Sequence, residues 1–146
     1  MEIDVRGPRF AATLTTVVLA AVLITGSGPL LAVQSAVFAV GAGAGVTNSP
    51  YGWLFRTLVR PRIGPPPAME DAAPPRFAQA VGLVFSVVGV IGYIVGPQWL
   101  GLAATACALA AAFLNAAFAY CLGCEAYLLL KRATGRNKGH GESTYA

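Results

Sequence analysis

Two cysteines three residues apart, Cys121 and Cys124 in the run Cys-Leu-Gly-Cys, are the residues of this chain best placed to do chemistry, and Glu125 follows them directly. On a helix, positions i and i+3 share a face. In the turn that starts a helix, two thiols at this spacing can close a disulfide or share a metal ion. Free amide groups at such a turn lower a thiol's pKa and enlarge its nucleophilic thiolate fraction. A neighbouring carboxylate works against a second anion, so Glu125 fits better as a proton acceptor. The candidate catalytic set is therefore Cys121, Cys124 and Glu125, and its chemistry would be thiol redox or sulfur transfer.

The same spacing has plainer readings. Cysteine packs well as a small apolar residue in a membrane helix, and a lone pair of this kind also arises without a role. A zinc site needs two further ligands, and His140 in the C-terminal tail is a poor one, so neither metal nor cofactor is assigned. The reducing side of a membrane disfavours a purely structural disulfide. Cys107, deep in an apolar run, reads as a packing residue. No complete catalytic motif occurs elsewhere in the chain.

The elements that must position this pair are membrane spans. Of the 146 residues, 56% are hydrophobic and only 11% charged, against about 25% charged in soluble domains. The apolar residues come in blocks, without the stripes of a soluble helical domain. Four spans are expected, over residues 10–25, 29–46, 77–95 and 99–120, with uncharged turns at 26–29 and 96–98. Residues 51–62, where Arg56 and Arg60 sit a turn apart opposite Trp53, Phe55 and Leu58, suit an amphipathic helix in the headgroup layer. A proline-rich extended linker is expected over 64–75, a second interfacial segment over 121–132 and a tail over 133–146. The last apolar run continues to Leu130; about 30 helical residues would reach roughly 45 Å, well past a hydrocarbon core of about 30 Å. A break is needed, and Gly123 is the expected place for it. The fold class is thus an all-α polytopic membrane protein, with the lipid bilayer as its first partner.

The net charge is +4, and every arginine and lysine lies in the N-terminal segment, the central loop or the C-terminal tail. The positive-inside rule then places both termini and the central loop in the cytoplasm of a multi-pass protein of a bacterial plasma membrane. Nucleic acid is not an expected partner, because no basic face with interleaved aromatics is present. The N-terminus, with two acids and one base ahead of Gly7, does not read as a secretory signal.

Pro8-Arg9-Phe10-Ala11 opens the first span and Pro75-Arg76-Phe77-Ala78 the third. Each half then runs through an uncharged turn, a second span and a basic-ended segment, so the chain reads as two duplicated hairpins. Matching Gly52 with Gly123 sets the Ser-Pro-Tyr-Gly run at 49–52 against the region of Cys121 to Cys124, which puts the cysteines at a helix start. Glycines 41, 43, 45, 82, 89 and 92 suit close helix contacts, either within one bundle or between copies in a homo-oligomer. Gln34 and Asn115 are polar groups within spans, suited to bonds across helices or to the lumen of an oligomeric small-solute channel.

The Pro-Arg-Phe-Ala openings, Ser49-Pro50-Tyr51-Gly52 with Leu58-Val59-Arg60-Pro61-Arg62, the linker Glu70-Asp71-Ala72-Ala73-Pro74-Pro75-Arg76-Phe77-Ala78-Gln79, and the Cys-Leu-Gly-Cys-Glu ending together resemble the bacterial, largely actinobacterial, domain-of-unknown-function family 4395 over residues 4–132. A looser similarity, in span count and cysteine spacing, is to DoxX-like membrane proteins. The first resemblance implies a membrane location and no mechanism. It also implies an association with thioredoxin-like and sulfurtransferase proteins, which favours sulfur handling. The leading expectation is a thiol-based membrane partner in sulfur or redox metabolism. Its rivals are a non-enzymatic accessory or scaffold subunit and an oligomeric channel.

Overall fold

The computed structural model describes residues 2–118 and 121–134, so Ala119, Tyr120 and the tail from Gly135, including His140, lie outside the described residues. The chain is mostly helical. Helix α1 spans Arg6–Thr25, α2 Gly28–Ala44, α5 Ala73–Ile94 and α6 Gln98–Phe118. Between the two hairpins lie short helices α3 (Pro50–Leu54) and α4 (Arg60–Ile63), and α7 (Leu122–Thr134) closes the described chain. Three helices, α1, α5 and α6, are long and apolar enough to cross a membrane, whereas α2 is apolar but only 17 residues long.

Local chemistry sets the ends of these helices. Helix α1 stops at Gly26, whose φ of 67° is open to glycine and whose N–H bonds to the Val22 carbonyl. Ser27 then caps α2, its Oγ accepting from the Leu30 amide at 3.1 Å, with Pro29 in the first turn. Ser49 caps α3 in the same way through the Gly52 amide at 3.2 Å. A side chain at residue 52 would run into the Val46 carbonyl, which accounts for the glycine. Helices α3 and α4 are joined by a widened π turn, Phe55–Val59. Pro61 has no N–H to give the Thr57 carbonyl, and its ring would clash there, so the turn opens by one residue. Residues 50–63 are thus one helical segment with a bulge, carrying Arg56, Arg60 and Arg62.

The long helices pack side by side, with α5 also against α6. Helix α1 lies chiefly along α6, and α2 along α5. Glycines let them approach: a Cβ on Gly92 of α5 would lie 2.8 Å from the Gly101 Cα of α6, and one on Gly89 2.6 Å from Leu31. Gly41 and Gly82 are filled in the same manner by Gln79 and Phe38, whereas Gly43 faces open space. Leu19, Val22, Leu31 and Ala108 form the buried centre. Some polar groups of the bundle are paired: Ser35 Oγ donates to Ser86 Oγ at 2.8 Å between α2 and α5, and Gln34 accepts from the Tyr51 hydroxyl at 2.6 Å, whereas Gln34 Nε2, Tyr93 OH and Thr105 Oγ1 are buried with no partner among the described residues. Burial holds the Tyr51 hydroxyl above the ordinary phenol pKa. The outside of the bundle is apolar as well. Only 17% to 28% of the three long apolar stretches is buried, and Val17, Ile24, Val84, Ile91 and Phe113 point outward. Water would not tolerate so continuous a greasy surface.

Two features depart from the expected arrangement. The linker is not wholly featureless, because Met69–Asp71 forms an antiparallel strand (β2) against the N-terminal strand Glu2–Asp4 (β1), with Ile3 opposite Glu70. The buried Asp4 carboxylate holds this corner together. It accepts from the Arg6 amide and guanidinium at 2.9–3.1 Å, and Arg6 reaches on to the Ile63 and Gly64 carbonyls. Alternation is too short in three-residue strands to be read from sequence. The second departure concerns the break expected at Gly123: Cys121 is non-helical and α7 begins at Leu122. Gly123 is already inside α7.

Candidate functional site

Cys121 is the residue on which α7 begins. Its carbonyl accepts from the Glu125 amide at 3.0 Å, and its sulfur accepts from the Cys124 amide at 3.1 Å. This is the geometry a serine or aspartate would make at an N-cap. The helix start brings the Cys121 and Cys124 Cα atoms to 5.1 Å, and their sulfurs are joined in a disulfide. Both cysteines are half-buried, while Glu125 is exposed in the first turn, where its charge suits the positive end of the helix. Glu125 is not among the residues that line the cavity beside the pair.

Two contacts seat α7 on α5. Gly123 lies so close to Ala78 that a Cβ on it would stand 2.6 Å from the alanine methyl carbon. Four residues on, Tyr127 packs on Phe77 with ring centroids 5.6 Å apart and planes tilted by 51°. The first hairpin contains the counterpart of this contact. Phe10 packs on Phe55 at 5.7 Å and 48°, and Phe55 stands six residues beyond the cap Ser49, as Tyr127 stands six beyond Cys121. In spacing from its ring contact Ser49 thus stands as Cys121 does and Gly52 as Cys124, one residue from the expected match of Gly52 with Gly123.

The disulfide forms part of the wall of a cavity of about 520 Å³. Its lining comes from α1 (Ala12, Thr15), Phe38 of α2, Val46, the basic-end halves of α5 and α6, and α7, and is mostly apolar, with alanine the commonest residue. Gln79 and Asn115 are its amide side chains, and neither makes a hydrogen bond among the described residues. Cys107 also lines it, a free and exposed cysteine of α6. Gln34 is elsewhere: it is 1% exposed inside the bundle, bonded to Tyr51, and is not among the residues that line this cavity. No cluster of metal-ligating side chains occurs among the described residues.

The arginines do more than their charge foretold. Arg9, at the start of α1, donates to the Ala116 carbonyl at the end of α6 at 2.9 Å. Arg76, at the start of α5, donates to the Ala42 and Gly43 carbonyls at the end of α2 at 2.6–3.1 Å. Each Pro-Arg-Phe-Ala arginine thus caps the last helix of the opposite hairpin. A signal for this was present, since both arginines open a span at the same place in the repeated tetrapeptide. The partner carbonyls, being main chain, left no trace in the sequence.

No curated protein and no solved structure matches the chain. The profile of one family, described as Domain of unknown function (DUF4395), matches residues 3–132. Nearly the whole chain, from the first strand through the cysteine pair to the end of the basic-tipped α7, is covered, and the protein belongs to the DUF4395 family.

Proposed function

We propose that the protein is a four-span bacterial plasma-membrane protein whose Cys121–Cys124 pair exchanges electrons or sulfane sulfur with a cytoplasmic thiol carrier of the thioredoxin or sulfurtransferase type. The observation that carries this reading is the pairing of the two sulfurs at the first turn of α7, half-exposed, at the end of the bundle where the arginines gather. A helix start favours the thiolate that must leave and re-attack during exchange. Glu125, exposed beside the pair, is available to accept a proton delivered with the incoming thiol.

Helix α2 counts as the fourth span in this proposal. Its 17 residues extend about 25 Å at about 1.5 Å each, and its neighbours α1 and α5 run antiparallel to it. Both uncharged turns then lie on the outer side, and the cytoplasmic side holds both termini, the β1–β2 corner and the segments after α2 and α6. A duplicated hairpin accounts for the matched aromatic pairs, the matched caps and the crossed arginines. Within the duplication only the second half has cysteines, so the thiol chemistry is an addition to a shared frame.

The test is thiol trapping in intact cells followed by the Cys121→Ser/Cys124→Ser variant. The expected result is that the pair cycles between oxidised and reduced states and that the double variant loses activity while still inserting and folding. Gly43→Leu, directed into open space, should leave the cycling intact. Full activity in the double serine variant, with loss in Gly43→Leu, would instead identify a scaffold that works through its helix faces.

A further inference from the structure

Cys121 and Cys124 are half-buried and line the cavity of about 520 Å³, whose volume is in the range of about 300–1,000 Å³ that holds small organic ligands. The chemistry of that cavity narrows what could occupy it. The lining holds no lysine, arginine, aspartate or glutamate, so a phosphorylated nicotinamide or flavin cofactor would find no counter-charge. The walls are interrupted where Phe85, Cys107 and Leu122 reach the surface. Phe85 and Cys107 lie within the apolar stretches of α5 and α6, so entry is from the side of the bundle. A neutral, flat, lipid-borne molecule fits these walls. The amides of Gln79 and Asn115, unengaged among the described residues, supply N–H donors to carbonyl oxygens inside an otherwise apolar space.

We propose that the cavity beside Cys121 and Cys124 binds a lipid-soluble quinone, which takes two electrons from the reduced pair. The proposal rests on the thiol-exchange reading above and adds the electron acceptor to it. The step balances within its named reactants. The two thiols of Cys121 and Cys124 become one disulfide, two electrons pass to the quinone ring, and the two thiol protons end on its two oxygens as hydroquinone. A cytoplasmic dithiol then reduces the disulfide again through a mixed disulfide, becoming oxidised itself. Net, a soluble dithiol is oxidised and a membrane quinone reduced.

The decisive experiment uses the full chain in lipid nanodiscs under anaerobic conditions. The protein is reduced with dithiothreitol, freed of reductant, and mixed with decylubiquinone, whose ring is fully substituted and cannot be alkylated by the thiols. Quinone absorbance and free thiols are followed together. The expected result is one quinone reduced and two thiols lost per chain, with no quinone reduction by Cys121→Ser/Cys124→Ser. Ala111→Phe, which fills the cavity, should slow quinone reduction by about tenfold or more relative to disulfide reduction by dithiothreitol, as loss of one good set of contacts predicts. Gln79→Leu with Asn115→Leu should raise the KM for quinone more than it lowers kcat, which keeps the test open if the phenylalanine variant fails to fold. A disulfide that cycles with dithiothreitol and is never oxidised by quinone would overturn the quinone site and leave the thiol-exchange reading standing, the cavity then being filled by an acyl chain. A pair that cycles with neither would overturn both.

Discussion

Gly123→Ala is the sharpest single test of how the cysteine pair is held. The added methyl would lie 2.6 Å from the Ala78 Cβ and 2.7 Å from the Ala78 Cα. Carbon atoms settle near 3.5–4.0 Å, so α7 must withdraw from α5 by about 1 Å. Half of the conflict is with main chain of a packed helix and cannot be relieved by a rotamer. Overpacking of this kind costs about 1–3 kcal/mol, which is about 5- to 150-fold in an equilibrium constant. Gly43→Ala is the matched control. It is the same change in a helix, but nothing lies within 4 Å of the new carbon, so only the gain in helix propensity remains, up to about 1 kcal/mol. The assay is equilibrium unfolding in mixed micelles of dodecyl maltoside and sodium dodecyl sulfate, followed by far-ultraviolet ellipticity with the disulfide intact. Gly123→Ala should fall below the parent and Gly43→Ala should match or exceed it. A Gly123→Ala protein as stable as the parent, with the control behaving as stated, would mean that α7 is not seated on α5 and that the cavity lacks the floor described.

Three further outcomes follow from particular contacts. Asp4 has its pKa held below 3.8, chiefly by its hydrogen bond from Arg6; a carboxyl lowered in the folded state stabilises above its unfolded pKa and loses that contribution as pH falls through its folded value. Amide exchange at the β1–β2 corner should therefore accelerate below about pH 4 in the parent and be independent of pH in that window, once corrected for intrinsic rates, in Asp4→Asn. Tyr51→Phe removes the sole partner found for the amide of the buried Gln34, whose Nε2 already has none among the described residues; a cost of about 1–3 kcal/mol is expected in the same unfolding assay, and Gln34→Leu added to it should restore much of the loss. Ser49→Ala should cost about 1 kcal/mol by uncapping α3, and a neutral result would contradict the capping bond to the Gly52 amide.

Sequence made the apolar helices legible because each is a long uninterrupted block, and Gly26, Ser27 and Pro29 mark the first turn with residues that have few other uses. It also marked Cys121 as a helix start, since the repeat set it against Ser49-Pro50. What it could not carry were contacts made by main chain. The Asp4 and Arg6 side chains were visible, but the Ile63 and Gly64 carbonyls that complete their cluster were not. Gly123 drew the eye as a breaker because glycine weakens helices, yet its use here is close approach to Ala78. Glu125 stood next to the cysteines in sequence, but one step along a helix turns a side chain by about 100°, and it is absent from the cavity lining that Cys124 joins. The cavity was illegible for a similar reason: its alanines differ in no way from those that merely pack.

The crossed arginines bear on how the protein is made. When the first hairpin leaves the ribosome, the α2 carbonyls at Ala42 and Gly43 have no guanidinium to meet, because Arg76 is still to be synthesised. Arg9 likewise waits for Ala116, more than a hundred residues downstream. Neither half can finish its own helix ends, and each is completed by a residue of the other. The first pair of helices is therefore completed only by the second, and a chain that stops in the central loop leaves the Ala42 and Gly43 carbonyls without that partner.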